Sequence, residues 1–154
     1  MLKLLDGVVD IYLPDMKYTD PRQAARYSSN AVDYPEVTKR AIIEMHRQVG
    51  VHRVDKEGVA LRGLMIRHLV MPNGVAGTEE FVRWVAANLP SNSYVNIMPQ
   101  YRVEYKAYDY PEIARGITVQ EFLEAMAWAE EFGLTNLDPK SVRVRDIYKR
   151  RRSN

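Results

Sequence analysis

The chain contains no cysteine. That excludes disulfides, thiolate zinc sites and iron–sulfur ligation by this chain alone. No apolar run approaches the length of a membrane span and no signal peptide opens the sequence, so the expectation is a cytoplasmic protein with no membrane partner. An excess of one charge is also lacking. Lysine and arginine number 22 against 20 aspartates and glutamates, a net charge of +2, and bulk electrostatics name no partner. The one basic cluster, Lys149-Arg150-Arg151-Arg152, has neither an aromatic platform nor a groove-reading helix beside it. It reads as a solvated, frayed tail and not as a nucleic-acid site.

What is present is an ordinary soluble composition, 46% hydrophobic and 27% charged over 154 residues, enough for one domain or part of one. MLKLLDG resembles the last turn of a helix, with Gly7 suited to the left-handed position past its end. Val8–Leu13 reads as a buried strand. Asp20-Pro21 opens one or two helical turns to Arg26. Asp33-Tyr34-Pro35 starts a longer helix whose apolar stripe is Val37, Ile42, Met45 and Val49, ended by Gly50. VHRVDKEGVALR, residues 51–62, reads as a hairpin turning at Asp55–Gly58. Leu64–Met71 is a second buried strand, closed by Pro72-Asn73-Gly74. Thr78 with Glu79 and Glu80 opens a helix through Phe81, Val82, Val85 and Leu89. Tyr94–Met98 is a third strand, followed by an irregular stretch to Gly116. Thr118 with Glu121 forms a capping box, and its helix runs to about Phe132.

Strands alternating with helices predict an α/β fold with parallel strands and right-handed crossovers. Three such units make either a small open sheet or half of a larger barrel. Ligands in these architectures bind at the C-terminal ends of the strands. There the sequence offers Asp15 and Lys17 after the first strand, Arg67 and His68 in the second, and Asn96, Gln100, Tyr101 and Arg102 around the third. The set is poor in nucleophiles and rich in groups that hold a polar ligand. Lys17 and Arg67 suit a carboxylate or phosphate; Asp15 suits an ammonium, hydroxyls or a cation. Purely structural roles compete. Asp15 and Lys17 can pair as surface ions at the strand end, and Arg67 can neutralise a carboxylate on the following helix. His68 has the opposite strand parity and packs under a helix, and the Gly74–Gly77 loop reads as a plain turn.

Four stretches in order, VDIYLPDMKYTDP, YPEVTKRAIIEMHRQVG, RGLMIRHLVMPNGVAGTEE and YVNIMPQYR, resemble the C-terminal half of radical S-adenosylmethionine (SAM) proteins, in the branch of pyruvate formate-lyase activating enzyme. The Asp-x-Lys strand exit and the Arg-His-Leu-Val-Met-Pro-Asn-Gly strand carry most of the likeness. The resemblance implies a partial (βα) barrel of about six units, of which residues 1–137 would supply about three C-terminal ones with an inserted hairpin. Residues 138–154 would be an extension with a basic tail. It further implies SAM and a [4Fe–4S] cluster as cofactors, the cluster held by a C-x3-C-x2-C loop, and reductive cleavage of SAM to a 5′-deoxyadenosyl radical that abstracts a hydrogen atom. Asp15 and Lys17 would lie at the SAM end of the barrel, near the ribose, the methionine carboxylate or a cation, with Arg67 close by.

Two departures qualify this. Where the activating enzyme has a histidine after the third-strand proline, this chain has Tyr101, which can still hydrogen-bond or stack. The cysteine loop is missing altogether. The expectation is therefore a C-terminal fragment, inactive alone, completed by an N-terminal half or a partner chain that brings the cluster. Its substrate, protein or small molecule, is not named by the sequence. Two other classes compete: a non-catalytic half-barrel binding module, and a phosphate-binding α/β lyase or isomerase using Lys17. The last needs an uncharged amine, which adjacent Asp15 opposes.

Overall fold

The computed structural model describes residues 1–152. In chain order the elements are β1 (Ile11–Tyr12), α1 (Pro21–Tyr27), α2 (Tyr34–Val49), β2 (Arg53–Val54), β3 (Ala60–Leu69), α3 (Thr78–Asn88), β4 (Tyr94–Met98), α4 (Val119–Glu131), β5 (Asn136–Leu137) and α5 (Pro139–Arg152). Single 3-10 turns lie at Leu2–Leu5, Pro72–Gly74 and Tyr105–Asp109. The fold is α/β. Strands β1, β3, β4 and β5 pair in parallel, each with the strand before it, and β2 folds back antiparallel on the start of β3.

Local chemistry explains the boundaries. Asp20 caps α1, its carboxylate accepting from the Arg22 amide at 2.7 Å, with Pro21 in the first turn. At α4 the capping box is complete: the Glu121 amide donates to Thr118 Oγ1 at 3.1 Å and the Thr118 amide to Glu121 Oε2 at 2.7 Å. The Asp55 carboxylate accepts from the amides of Glu57 and Val59 and turns the hairpin. Gly63 sits at φ +127°, and a Cβ there would lie 2.4 Å from the His52 Cα, so only glycine lets the hairpin cross β3.

The sheet is finished on one face only. Tyr12, Leu64, Ile66, His68, Val95 and Ile97 point toward the helices and are buried, packed with Ile42 and Val49 of α2, Phe81, Val82 and Val85 of α3, and Phe122 and Met126 of α4. Met65, Leu69 and Met98, on the other face, lie outside this core and are half-buried. Crossovers that step in the same direction place α2, α3 and α4 on the same side.

Three expectations need correction. The run Val8–Leu13 is not a buried strand: pairing covers Ile11 and Tyr12, while Val8 is 72% exposed and Leu13 48%. Only Tyr12 faces the helices, where its hydroxyl donates to Gln48 of α2; Val8 and Val9 belong to the preceding turn, bonded to the Leu5 carbonyl. Val37, placed on the buried stripe of α2, is exposed, while Ile42 and Val49 of that stripe are buried and Gln48 joins them. A fourth parallel strand, β5, and helix α5 follow α4. The basic run Lys149–Arg152 is solvated at its end but helical, and Tyr148 just before it packs edge-on against Phe122. Ser153 and Asn154, the last residues of the expected extension, lie outside the described residues.

Candidate functional site

Register brings the sequence-selected residues together. Asp15 lies opposite Arg67, and Arg67 opposite Asn96, so the three form one row across β1's exit, β3 and β4 on the uncovered face. Arg67 Nε donates to Asp15 Oδ1 at 2.7 Å, and Lys17 Nζ stands 3.7 Å from Asp15 Oδ2. Asp15 thus holds both cations. The expected Asp15–Lys17 ion pair is present, while the partner of Arg67 is Asp15 and not a carboxylate on the following helix. Asn96 turns to the edge, where Ser141 of α5 donates to its Oδ1 at 3.1 Å. The exit loop is pinned from α2: the Tyr34 hydroxyl donates to the Asp15 carbonyl at 3.1 Å and accepts from the Lys17 amide at 2.9 Å.

His68 is structural. Fully buried, it stacks on Phe81 with ring centroids 4.2 Å apart. Its Nδ1 lies 2.7 Å from the Met16 carbonyl, which can only accept, so Nδ1 carries the proton and Nε2 accepts from Thr78 Oγ1 at 2.9 Å. Burial lowers its pKa to about 4. The Thr78 side chain is spent on this bond, and the αL residue Gly77 precedes the first turn of α3 in place of a side-chain cap.

Beyond the strand ends lies a groove of about 440 Å³. Its floor is apolar, from Leu69, Met71 and Ile113, and five of the chain's ten tyrosines line it: Tyr18, Tyr27, Tyr101, Tyr105 and Tyr110. Lys17, Arg102 and Lys106 stand on its walls against one acid, Glu104. Lys17 and Tyr101 therefore share this groove, while Asp15 and Arg67 stand behind Lys17 on the sheet. The Tyr101 hydroxyl donates to the Ile113 carbonyl at 2.9 Å and ties the wall together. Tyr18 stacks on Tyr27, and Tyr27 meets Tyr110 edge-on at 5.1 Å. Burial raises the phenols of Tyr18, Tyr27 and Tyr101, so they remain hydrogen-bond donors at neutral pH.

A polar knot ties the turn after β3 to the start of α4. Glu121 accepts from the Asn73 amide at 2.7 Å and pairs with Arg115 at 2.8 Å, and Arg115 also donates to Asn73 Oδ1 at 2.9 Å. The Arg115 guanidinium holds the Glu121 carboxyl down at about 2. Sequence reasoning missed this knot and, Tyr101 apart, the tyrosine wall. The signals were there: Asn73-Gly74 is a left-handed turn dipeptide, and Tyr101, Tyr105, Tyr108 and Tyr110 crowd one short stretch read only as irregular. The Gly74–Gly77 loop turns the chain into α3, with the Gly77 carbonyl accepting from Thr19 Oγ1. No helix among the described residues is long and apolar enough to cross a membrane.

No protein-family model matches the chain, and no solved structure does. The chain is 37% identical over 134 residues to an uncharacterized protein of Methanocaldococcus jannaschii, an alignment that takes 86% of this chain and 35% of that protein. The chain thus spans about a third of the length of the curated relative it matches.

Proposed function

We propose that this chain is the C-terminal arc of a radical SAM-type (βα) barrel and that its strand ends form one side of the cofactor and substrate site. One observation carries the reading. Four parallel strands follow one another in chain order, with helices on one face and a half-buried polar row, Asp15–Arg67–Asn96, on the other. A doubly wound sheet reverses its strand order and covers both faces; a barrel does neither, and its uncovered face becomes the interior. That the matching relative is nearly three times as long as the matched region supports a parent chain with room for the remaining strands.

The fit to the cofactors divides in two. The chain has no cysteine, and among the described residues no group of three His, Cys, Asp or Glu side chains could hold a metal ion. A [4Fe–4S] cluster does not fit here, and the missing N-terminal half or a partner chain would have to bring it. SAM fits better. Lys17, with its side chain 53% exposed, can take a carboxylate or ribose hydroxyls, and Tyr101 can face a ring. When bound in a completed barrel, SAM would supply the hydrogen-abstracting chemistry. In this reading Asp15 and Arg67 act on Lys17 from behind: Arg67 occupies one oxygen of Asp15 and leaves the other to steer the lysine toward the groove. A lysine-based lyase is less well supported, because Lys17 is neither buried nor away from a carboxylate.

The test is activity with and without the missing half. Alone, supplied with iron, sulfide and SAM under anaerobic conditions, the chain should give no stable cluster absorbance and no 5′-deoxyadenosine. Joined to a C-x3-C-x2-C segment encoded upstream, it should give both. Cluster assembly by the chain alone, or an upstream region with no such segment, would overturn the reading.

A further inference from the structure

We infer that the tyrosine-walled groove binds a small ring-bearing phosphate monoester, with the phosphate on Arg102 and Lys106 and the ring against Tyr105. As a ligand site the groove stands on its own geometry; only its role as the substrate's site rests on the barrel reading.

Charge is the first support. Lys17, Arg102 and Lys106 line the groove against Glu104 alone. Lys17 is already turned to Asp15. Neither Arg102 nor Lys106 forms an ion pair among the described residues, although most of the chain's other arginines have a carboxylate partner, such as Arg67, Arg115 and Arg145. Two unpaired cations on one concave wall favour an anion, and the planar guanidinium fork matches phosphate oxygens two at a time.

The second support is Tyr105. It is 83% exposed and its backbone sits at φ +51°, in the left-handed region that bulky side chains rarely adopt. An exposed aromatic gives the fold nothing that would offset this strain. Strained non-glycine residues of this kind gather at ligand clamps. Lys106 Nζ lies 5.6 Å from the Tyr105 ring centroid, so the ring is held beside a cation and a flat ligand with an acid group would meet both. The third support is size and lining. A groove of about 440 Å³ with an apolar floor and a few polar groups falls in the range of small-molecule sites, and the phenols lining it bring no negative charge at neutral pH.

The experiment is calorimetric titration of the chain as it stands with phenyl phosphate, inorganic phosphate and SAM in parallel. Phenyl phosphate should bind saturably and at least tenfold more tightly than inorganic phosphate. Arg102→Ala should weaken it at least tenfold, and Tyr105→Ala should bring it to the inorganic phosphate value. Both residues are exposed, so the variants should fold, and an unchanged melting curve checks this. Equal binding of phenyl and inorganic phosphate, or indifference to both substitutions, would overturn the inference. Saturable SAM with no phenyl phosphate would also overturn it and assign the groove to the cofactor. None of these outcomes involves a cluster, so failure here leaves the barrel reading intact, and failure of cluster assembly leaves the groove intact.

Discussion

On the helix side of β3, Leu64, Ile66 and His68 are sealed among α2, α3 and α4; on the other side, Met65, Arg67 and Leu69 of the same strand are half-buried and meet no helix core. Ten residues of one strand therefore work in two regimes. The covered face is held by packing, where each removed atom is felt. The open face is held by an ion-pair row in partial contact with water, where Coulomb attraction is screened. The difference teaches where stability and function have been separated. The side that keeps the fold has no free chemistry, and the side with chemistry adds little to the fold.

The largest effect should come from breaking the covered face. Ile66→Ala removes a fully buried side chain from the centre of the sheet, and should cost about 4 kcal/mol in denaturant unfolding. A cost below about 1.5 kcal/mol would mean that the face is loosely packed and the two regimes are not distinct.

The second effect uses pH. Burial lowers the His68 pKa to about 4 from 6.5. The unfolded chain takes up a proton there below pH 6.5, while the folded chain resists until about pH 4. The neutral histidine's contribution is therefore complete above pH 6.5 and is lost as the pH falls to 4, on the order of 3 kcal/mol in all. His52, partly buried against Tyr94, is shifted the same way, so assignment needs a variant. His68→Gln should remove most of the slope between pH 6.5 and 4.5. Below that, Glu121, depressed to about 2, loses its own contribution as it protonates, and the variant should still show it. A wild-type melting temperature that is flat from pH 7 to 4.5 would contradict the buried neutral state.

The smallest effect belongs to the open face. Asp15→Asn removes the carboxylate shared by Arg67 and Lys17, whose side chains are 39% and 53% exposed. The expected loss is at most about 1 kcal/mol, shrinking further in salt. A loss above 2 kcal/mol would show that this face is drier than its exposure says, as it would be if copies of the chain closed over it, and sedimentation would then detect the association.

The same division explains what could be read from the sequence. The covered face announces itself: alternating Leu64, Ile66 and His68 fixed the parity of β3, and the helices with explicit signals, Asp20-Pro21 and Thr118 with Glu121, lie where expected. β5 was invisible because Asn136 and Leu137 carry no apolar run; their strand conformation comes from pairing with Tyr94 and Val95, a tertiary effect. α5 had a readable start, since Asp138-Pro139 repeats the pattern of α1 and the Asp138 carboxylate accepts from the Lys140 amide at 2.7 Å, but the arginines after it mask any apolar stripe. At the site, Asp15, Lys17 and Arg67 were found because strand ends are where such folds place chemistry. Of the groove wall, Tyr101 and Arg102 were found the same way, while Tyr18, Tyr105 and Tyr110 were not, because they lie in loops and a single 3-10 turn, where no long period reports which way a side chain faces.

The neighbour-to-neighbour strand order also bears on how the chain is made. β3 pairs with β1, β4 with β3 and β5 with β4, so no strand has to be inserted between two that are already joined. During synthesis, β3, β4 and β5 therefore each meet a partner strand that has already been made, and β4 and β5 add at an edge and not between joined strands.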